Sequence, residues 1–154
     1  MSSPEAKLAE LGLTLPKVAA PLAAYVPSLK DGDLVFTSGQ LPLVDGTLAD
    51  TGKVGAEITA ERGAELARIC GLNCLAALAD AAGGLDKVDK IMKVVVYVAC
   101  DPSFTAHPAV GNGASELFGQ VLGDAGVHAR SAVGVASLPL DAPVEVEVVA
   151  RVSA

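Results

Sequence analysis

The sequence predicts an α+β domain in which two main helices pack on one face of a mixed β-sheet. Three observations carry this. A helix-period segment bounded by Thr59 and Gly83 is followed by a β-branched run, Ile91 to Cys100. A second helical segment spans about Pro108 to Leu122. The chain then closes on two strand-like pieces, one from Ala129 to Val135 and one from Val144 to Val148. Such an order buries the apolar stripe of each helix against a sheet. At 154 residues the chain fits one domain with a real core.

In chain order, residues 4–13 hold good helix formers, Glu5 to Leu11, stopped by Gly12. Val18 to Ser28 is strand-like but broken by Pro21 and Pro27, which reads as an edge strand or an irregular lead-in. Lys30-Asp31-Gly32-Asp33 is a turn signal, and Leu34 to Ser38 follows as the second arm of a hairpin. Asp45 to Gly55 contains three glycines and reads as a loop. Thr59 is placed to cap the long helix, with Glu61 in its first turn and Gly83-Gly84 at its end. Ala64, Ala67, Gly71, Cys74, Leu75 and Leu78 form its apolar stripe. Ile91 to Cys100 is nearly all apolar, which predicts a strand covered on both faces. Gly111 and Gly113 weaken the first turns of the second helix. The pattern is ββ(β)αβαββ.

Composition narrows the function. The chain is 51% hydrophobic with a mean hydropathy of +0.48, yet only 3% aromatic, so it carries more Ala, Val and Leu than a small domain easily hides. No apolar run approaches the 18 or more residues of a membrane span, so the surplus is expected in a subunit interface and the chain in a homo-oligomer. A net charge of −7 and eleven scattered Lys and Arg argue against a nucleic-acid partner, ribonuclease activity included. Met1 to Glu5 lacks the start of a signal peptide, and three cysteines without framework spacing suit free thiols; both lead to the expectation of a cytoplasmic protein.

Among candidate sites, Cys70, Cys74, Cys100, His107 and His128 lack metal-ligand spacing, and packing as small hydrophobes suits the cysteines better. Neither histidine adjoins a nucleophile in a recognisable motif; capping or solvent exposure is the expectation for both. Gly111-Asn112-Gly113 lacks the lysine of a phosphate loop, and Asn112 reads equally as a helix cap. Thr37-Ser38-Gly39-Gln40 ends a strand where Gly39 permits close approach of a ligand or a neighbouring strand. Tyr25 either lines a pocket or fills a core edge. On the closing strands, alternation puts Arg130, Ala132, Gly134 and Ala136 on one face and Ser131, Val133 and Val135 on the other. A guanidinium beside small side chains has room for a carboxylate, although an ordinary surface arginine fits the pattern too. Glu145 and Glu147 share a face of the last strand; they are either a solvated pair or include an acid/base in a partly closed pocket.

Taken together, Ala24-Tyr25-Val26, Thr37-Ser38-Gly39-Gln40-Leu41-Pro42, Asn112 to Phe118, and Ala129-Arg130-Ser131 through Leu138-Pro139 to Val144-Glu145-Val146-Glu147 resemble the RidA family, also called YjgF/YER057c/UK114. The resemblance runs from about Pro21 to Val152. It implies a chorismate-mutase-like fold, a single domain over residues 1–154 with about 1–17 as an N-terminal extension, and homotrimers with clefts between subunits. It also implies cofactor-independent, metal-free enamine/imine deamination of 2-imino or 2-enamino acids to 2-oxo acids and ammonia. Carried onto this chain, Arg130 holds the substrate carboxylate and Glu145 positions or activates water. Tyr25, Ser38, Gly39 and Asn112 line the cleft, and the backbone of Ala132 helps hold substrate. The sequence departs from the family at Ala132, where the RidA branch commonly has cysteine, and at Gly134, where glutamate is frequent. Those departures, with the extension and the long Asp45–Gly55 loop, mark a divergent branch. They also motivate the alternative reading, a non-catalytic small-carboxylate-binding or regulatory protein.

Overall fold

A computed structural model describes residues 2–153. Helix α1 (Pro4–Glu10) is followed by strands β1 (Ser28–Asp31), β2 (Leu34–Thr37), β3 (Leu43–Val44) and β4 (Thr47–Leu48). Then come α2 (Ala60–Ala82), β5 (Val88–Ala99), α3 (His107–Leu122), β6 (Ala129–Val135) and β7 (Val144–Val152). The main sheet has the order β1-β2-β7-β5-β6, and β3 pairs with β4 in a small separate hairpin. Among the described strands only β5 and β6 pair in parallel, with α3 as their crossover; the other strand pairs are antiparallel.

Local chemistry explains the boundaries. Thr59 Oγ1 accepts from the N–H of Arg62 at 3.1 Å, and Gly83 closes α2 at φ +88°, a conformation that favours glycine. Ala19 to Pro27 forms no strand, since prolines at 21 and 27 remove ladder donors, and pairing begins only at Ser28. The glycine-containing 45–55 segment contributes Thr47–Leu48 to the small hairpin.

Helices α2 and α3 lie side by side on one face of the sheet. Val94, Val96 and Val98 of β5 and Val144, Val146, Val148 and Ala150 of β7 point into that layer and are buried. They meet Leu66, Ala67, Cys70, Cys74, Leu75 and Leu78 of α2 and Val110, Ala114, Leu117 and Phe118 of α3. Gly113, unfavourable for a helix by about 1 kcal/mol, has a packing reason: a β-carbon there would strike the backbone carbonyl of Ala64, so the glycine lets α3 close on α2. Cys70 and Cys74 donate to the carbonyls of Val144 and Val146, and burial pushes both thiols up.

The second face of the sheet is open, and this corrects the expectation for β5. Its alternate residues Val95 and Tyr97 are half-buried because no element among the described residues covers them. They share that face with Glu145, Glu147 and Val149 of β7, Ser131 and Val133 of β6, and Phe36 and Leu29 of the first hairpin. Leu29, Phe36 and Val133 are exposed, so much of the apolar surplus lies here. Among the described residues, no helix is long and apolar enough to cross a membrane.

Candidate functional site

The seven residues singled out by sequence fall into two groups on opposite faces of the sheet. Arg130 stands level with Val94 of β5, whose side chain points into the helix layer. Its guanidinium turns onto α3, with Nη1 donating to Asn112 Oδ1 at 3.0 Å and to Ser115 Oγ at 3.1 Å. Nη2 donates to the carbonyl of Pro108 at 3.2 Å. Gly111 makes room for this packing, because a β-carbon at that position would lie 3.0 Å from Nη1. Asn112 is therefore an interior helical residue facing the arginine, not a cap. Ala132 follows on the same face of β6, packed against the core edge.

The three acceptors around Arg130 are neutral. Among the described residues no carboxylate pairs with it. A guanidinium has five N–H donors. Three are used, which leaves the Nε–H and one Nη2–H without an acceptor among the described residues, donors of the kind a carboxylate takes.

The second group, Tyr25, Ser38, Gly39 and Glu145, lines one cavity with Leu22 and Pro139. Ser38 directly follows β2 and ties the N-terminal arm to it. Its hydroxyl donates to the carbonyl of Val26 at 2.5 Å, and its N–H to that of Pro27 at 2.8 Å. The Tyr25 hydroxyl accepts from the N–H of Leu22 at 3.4 Å, closing a turn of the arm over the cavity. A β-carbon at residue 39 would meet Glu145 Oε1, so the glycine lets the carboxyl lie against the backbone. Pro139 belongs to a turn with Leu140 and Asp141 at φ 61° and 60°, a backbone cost of about 1–2 kcal/mol each. The turn is held by Lys53 Nζ on Asp141 at 2.5 Å and by the Gly52 N–H on the Asp141 carbonyl at 3.0 Å.

Glu145 has no hydrogen-bond donor in this cavity among the described residues. Burial, and secondarily the charge of Glu147, raises its carboxyl above the ordinary range. A raised carboxyl exchanges protons nearer neutrality, as an acid/base requires. The neighbouring Glu147 accepts instead from the Tyr97 hydroxyl, whose pKa is pushed up to about 12 by that bond and by burial. The cavity, about 40 Å³, has room for water, which needs about 10–15 Å³ on the same measure.

Arg130 and Glu145 do not meet within one chain. Strand β5 lies between β6 and β7, with Arg130 opposite Val94 on the covered face and Glu145 opposite Tyr97 on the open face. Two strand spacings separate them, about 10 Å, plus a further ~10 Å for three residues along the strand.

Sequence reading missed the partners of both histidines. Cys100 Sγ lies 3.5 Å from His107 Nε2, above Gly134, where a β-carbon would stand 2.5 Å from that nitrogen and 2.9 Å from the sulfur. Ser115 Oγ lies 2.8 Å from His128 Nε2. Neither residue is simply a cap or a solvated side chain. The usable signal for Ser115 was its spacing from Asn112, three apart and so on the same side of a helix.

Comparison with known proteins agrees with this architecture. Residues 5–152 match the family described as "YjgF/chorismate_mutase-like, putative endoribonuclease". The chain is 44% identical over 143 residues to Protein TCP17 of Trypanosoma cruzi, covering 92% of this chain and 89% of that protein. It is 33% identical over 131 residues to the 2-iminobutanoate/2-iminopropanoate deaminase of Escherichia coli K12, covering 85% and 89%. The crystal structure of Atu1372 from Agrobacterium tumefaciens superposes with a TM-score of 0.91 at 41% identity, over 97% of this chain and 93% of that one.

Proposed function

The chain belongs to the YjgF/RidA family, and from that premise we propose that it hydrolyses reactive 2-imino and 2-enamino acids to 2-oxo acids and ammonia. Arg130 binds the substrate carboxylate through its free Nε–H and Nη2–H. Glu145 takes a proton from water as the oxygen adds to the imine carbon. That proton passes to the nitrogen, and the hydroxyl proton of the resulting carbinolamine follows it as the carbonyl forms and ammonia leaves. The reaction needs orientation and one proton-transfer group, a contribution of about 10²- to 10⁴-fold from the latter. No metal or cofactor enters these steps.

The observation that carries this reading is an uncompensated guanidinium together with a desolvated carboxyl that has no donor among the described residues and lines a cavity with room for water. Their placement on opposite faces of one sheet calls for a cleft built from two copies. We therefore extend the proposal to a homotrimer, in which the open apolar face is covered by neighbouring copies and Arg130 of one copy faces Glu145 of the next. The partly apolar open face, with Leu29, Phe36 and Val133 exposed, supports such association.

The test generates 2-aminocrotonate in situ from threonine with a threonine dehydratase and traps residual imine with semicarbazide. The wild type is expected to accelerate 2-oxobutyrate release, and Arg130→Ala to lose about 10²-fold or more, because two charge-assisted hydrogen bonds disappear. Equal rates for the two proteins would contradict the mechanism. Binding of 2-oxobutyrate that depends on Arg130 without any turnover would favour the non-catalytic carboxylate binder instead.

A further inference from the structure

We propose that Ser115 and His128 are positioning residues that aim the guanidinium of Arg130, a role that rests on Arg130 being the carboxylate anchor. His128 Nδ1 lies 2.6 Å from the carbonyl oxygen of Gly126. A carbonyl only accepts, so Nδ1 carries the hydrogen; the other tautomer would face two acceptors against each other at that distance. Nε2 of the neutral ring is then an acceptor. Ser115 Oγ, 2.8 Å away, must donate to it. With its hydrogen committed to His128, the Ser115 oxygen turns a lone pair to Arg130 Nη1 at 3.1 Å.

Direction therefore passes from a backbone carbonyl, through one imidazole and one hydroxyl, to the guanidinium. The origin of the relay is fixed in space. A β-carbon at residue 126 would strike the carbonyl of Phe118, and the Phe118 ring meets the imidazole edge-on at a centroid distance of 5.8 Å. Asn112 also accepts from Nη1, but it is exposed and free at its outer side, whereas Ser115 and His128 are half-buried and locked to each other. Ser115 thus holds the Nη1 end of the guanidinium in place, while the Nε–H and one Nη2–H keep no acceptor among the described residues. An anchor already aimed loses less freedom on binding, and the benefit appears as affinity.

The experiment titrates the full-length protein with 2-oxobutyrate by calorimetry and measures kcat and KM in the deaminase assay. Ser115→Ala and His128→Leu are each expected to weaken binding about tenfold, the scale of one hydrogen bond to a charged group, and to raise KM with kcat held within about twofold. Ser115→Thr restores the hydroxyl and His128→Gln restores an acceptor for it, and both are expected within about threefold of wild-type affinity. If Arg130→Ala abolishes binding while Ser115→Ala and His128→Leu bind as the wild type does, the relay is overturned and the anchor stands. If Arg130→Ala leaves binding intact, the anchor fails and the relay with it. Should Ser115→Ala not fold, His128→Leu against His128→Gln makes the same comparison.

Discussion

Arg130 and Glu145 both sit on strands that flank β5, yet their surroundings differ in kind. The arginine is met by three neutral acceptors from one helix, which fix its direction and leave its charge uncompensated. The glutamate is surrounded by the arm, a proline turn and a glycine backbone, and among the described residues no donor holds its ionised form. Polar contact makes a permanent, aimed cation; desolvation makes a carboxyl that gives and takes a proton. In the proposed function the first region holds the substrate and the second moves a proton, with the sheet between them.

The sharpest division of labour is expected from Glu145→Gln. Its kcat should fall about 10²- to 10⁴-fold while 2-oxobutyrate affinity stays near that of the wild type. Affinity and kcat falling together would show that the two regions are not separate in function. Gly39→Ala should act through the same carboxyl with a smaller effect. The new methyl displaces Glu145 Oε1, which can swing aside because it ends a flexible side chain. A drop in kcat of about 10- to 100-fold, with a melting temperature within a few degrees of the wild type, is the expected result.

The smallest effect is on stability. Burial holds the folded-state pKa of Glu145 above its unfolded value. Such a group lends stability below the unfolded value and loses it as pH rises through the folded one. Glu145→Gln should therefore melt at, or about 1–3 °C above, the wild type near about pH 7.5, and the gap should close towards about pH 4 as the wild type gains. Partial exposure keeps this term small. A gap that widens on acidification would mean that the pocket favours the charged carboxylate.

Much of the architecture was legible from local chemistry. Thr59 and Gly83 bound α2 because capping and a left-handed terminus are written in the residues themselves. Glycines 111 and 113 read as weaknesses of α3, since the sequence does not show the Ala64 carbonyl or the Arg130 guanidinium that need the space. Val95 and Tyr97 made β5 look covered on both sides, because an apolar side chain reads the same whether a helix or another chain is to cover it. Alternation assigned Arg130 and Glu145 to faces of their own strands but could not relate those faces. That relation needs the register of both strands on β5, a non-local property. The partners of His107 and His128 were hidden for a similar reason: Cys100 and Ser115 reach them across turns of the fold.

The central claim is that each cleft takes Arg130 from one copy and Glu145 from another. Mixing the inactive Arg130→Ala and Glu145→Gln proteins, denaturing and refolding them together, and measuring imine hydrolysis tests it directly. Random assembly at equal amounts leaves about one cleft in four with both side chains intact, so about a quarter of wild-type activity should return. Activity no greater than the sum of the two separate variants would contradict the account.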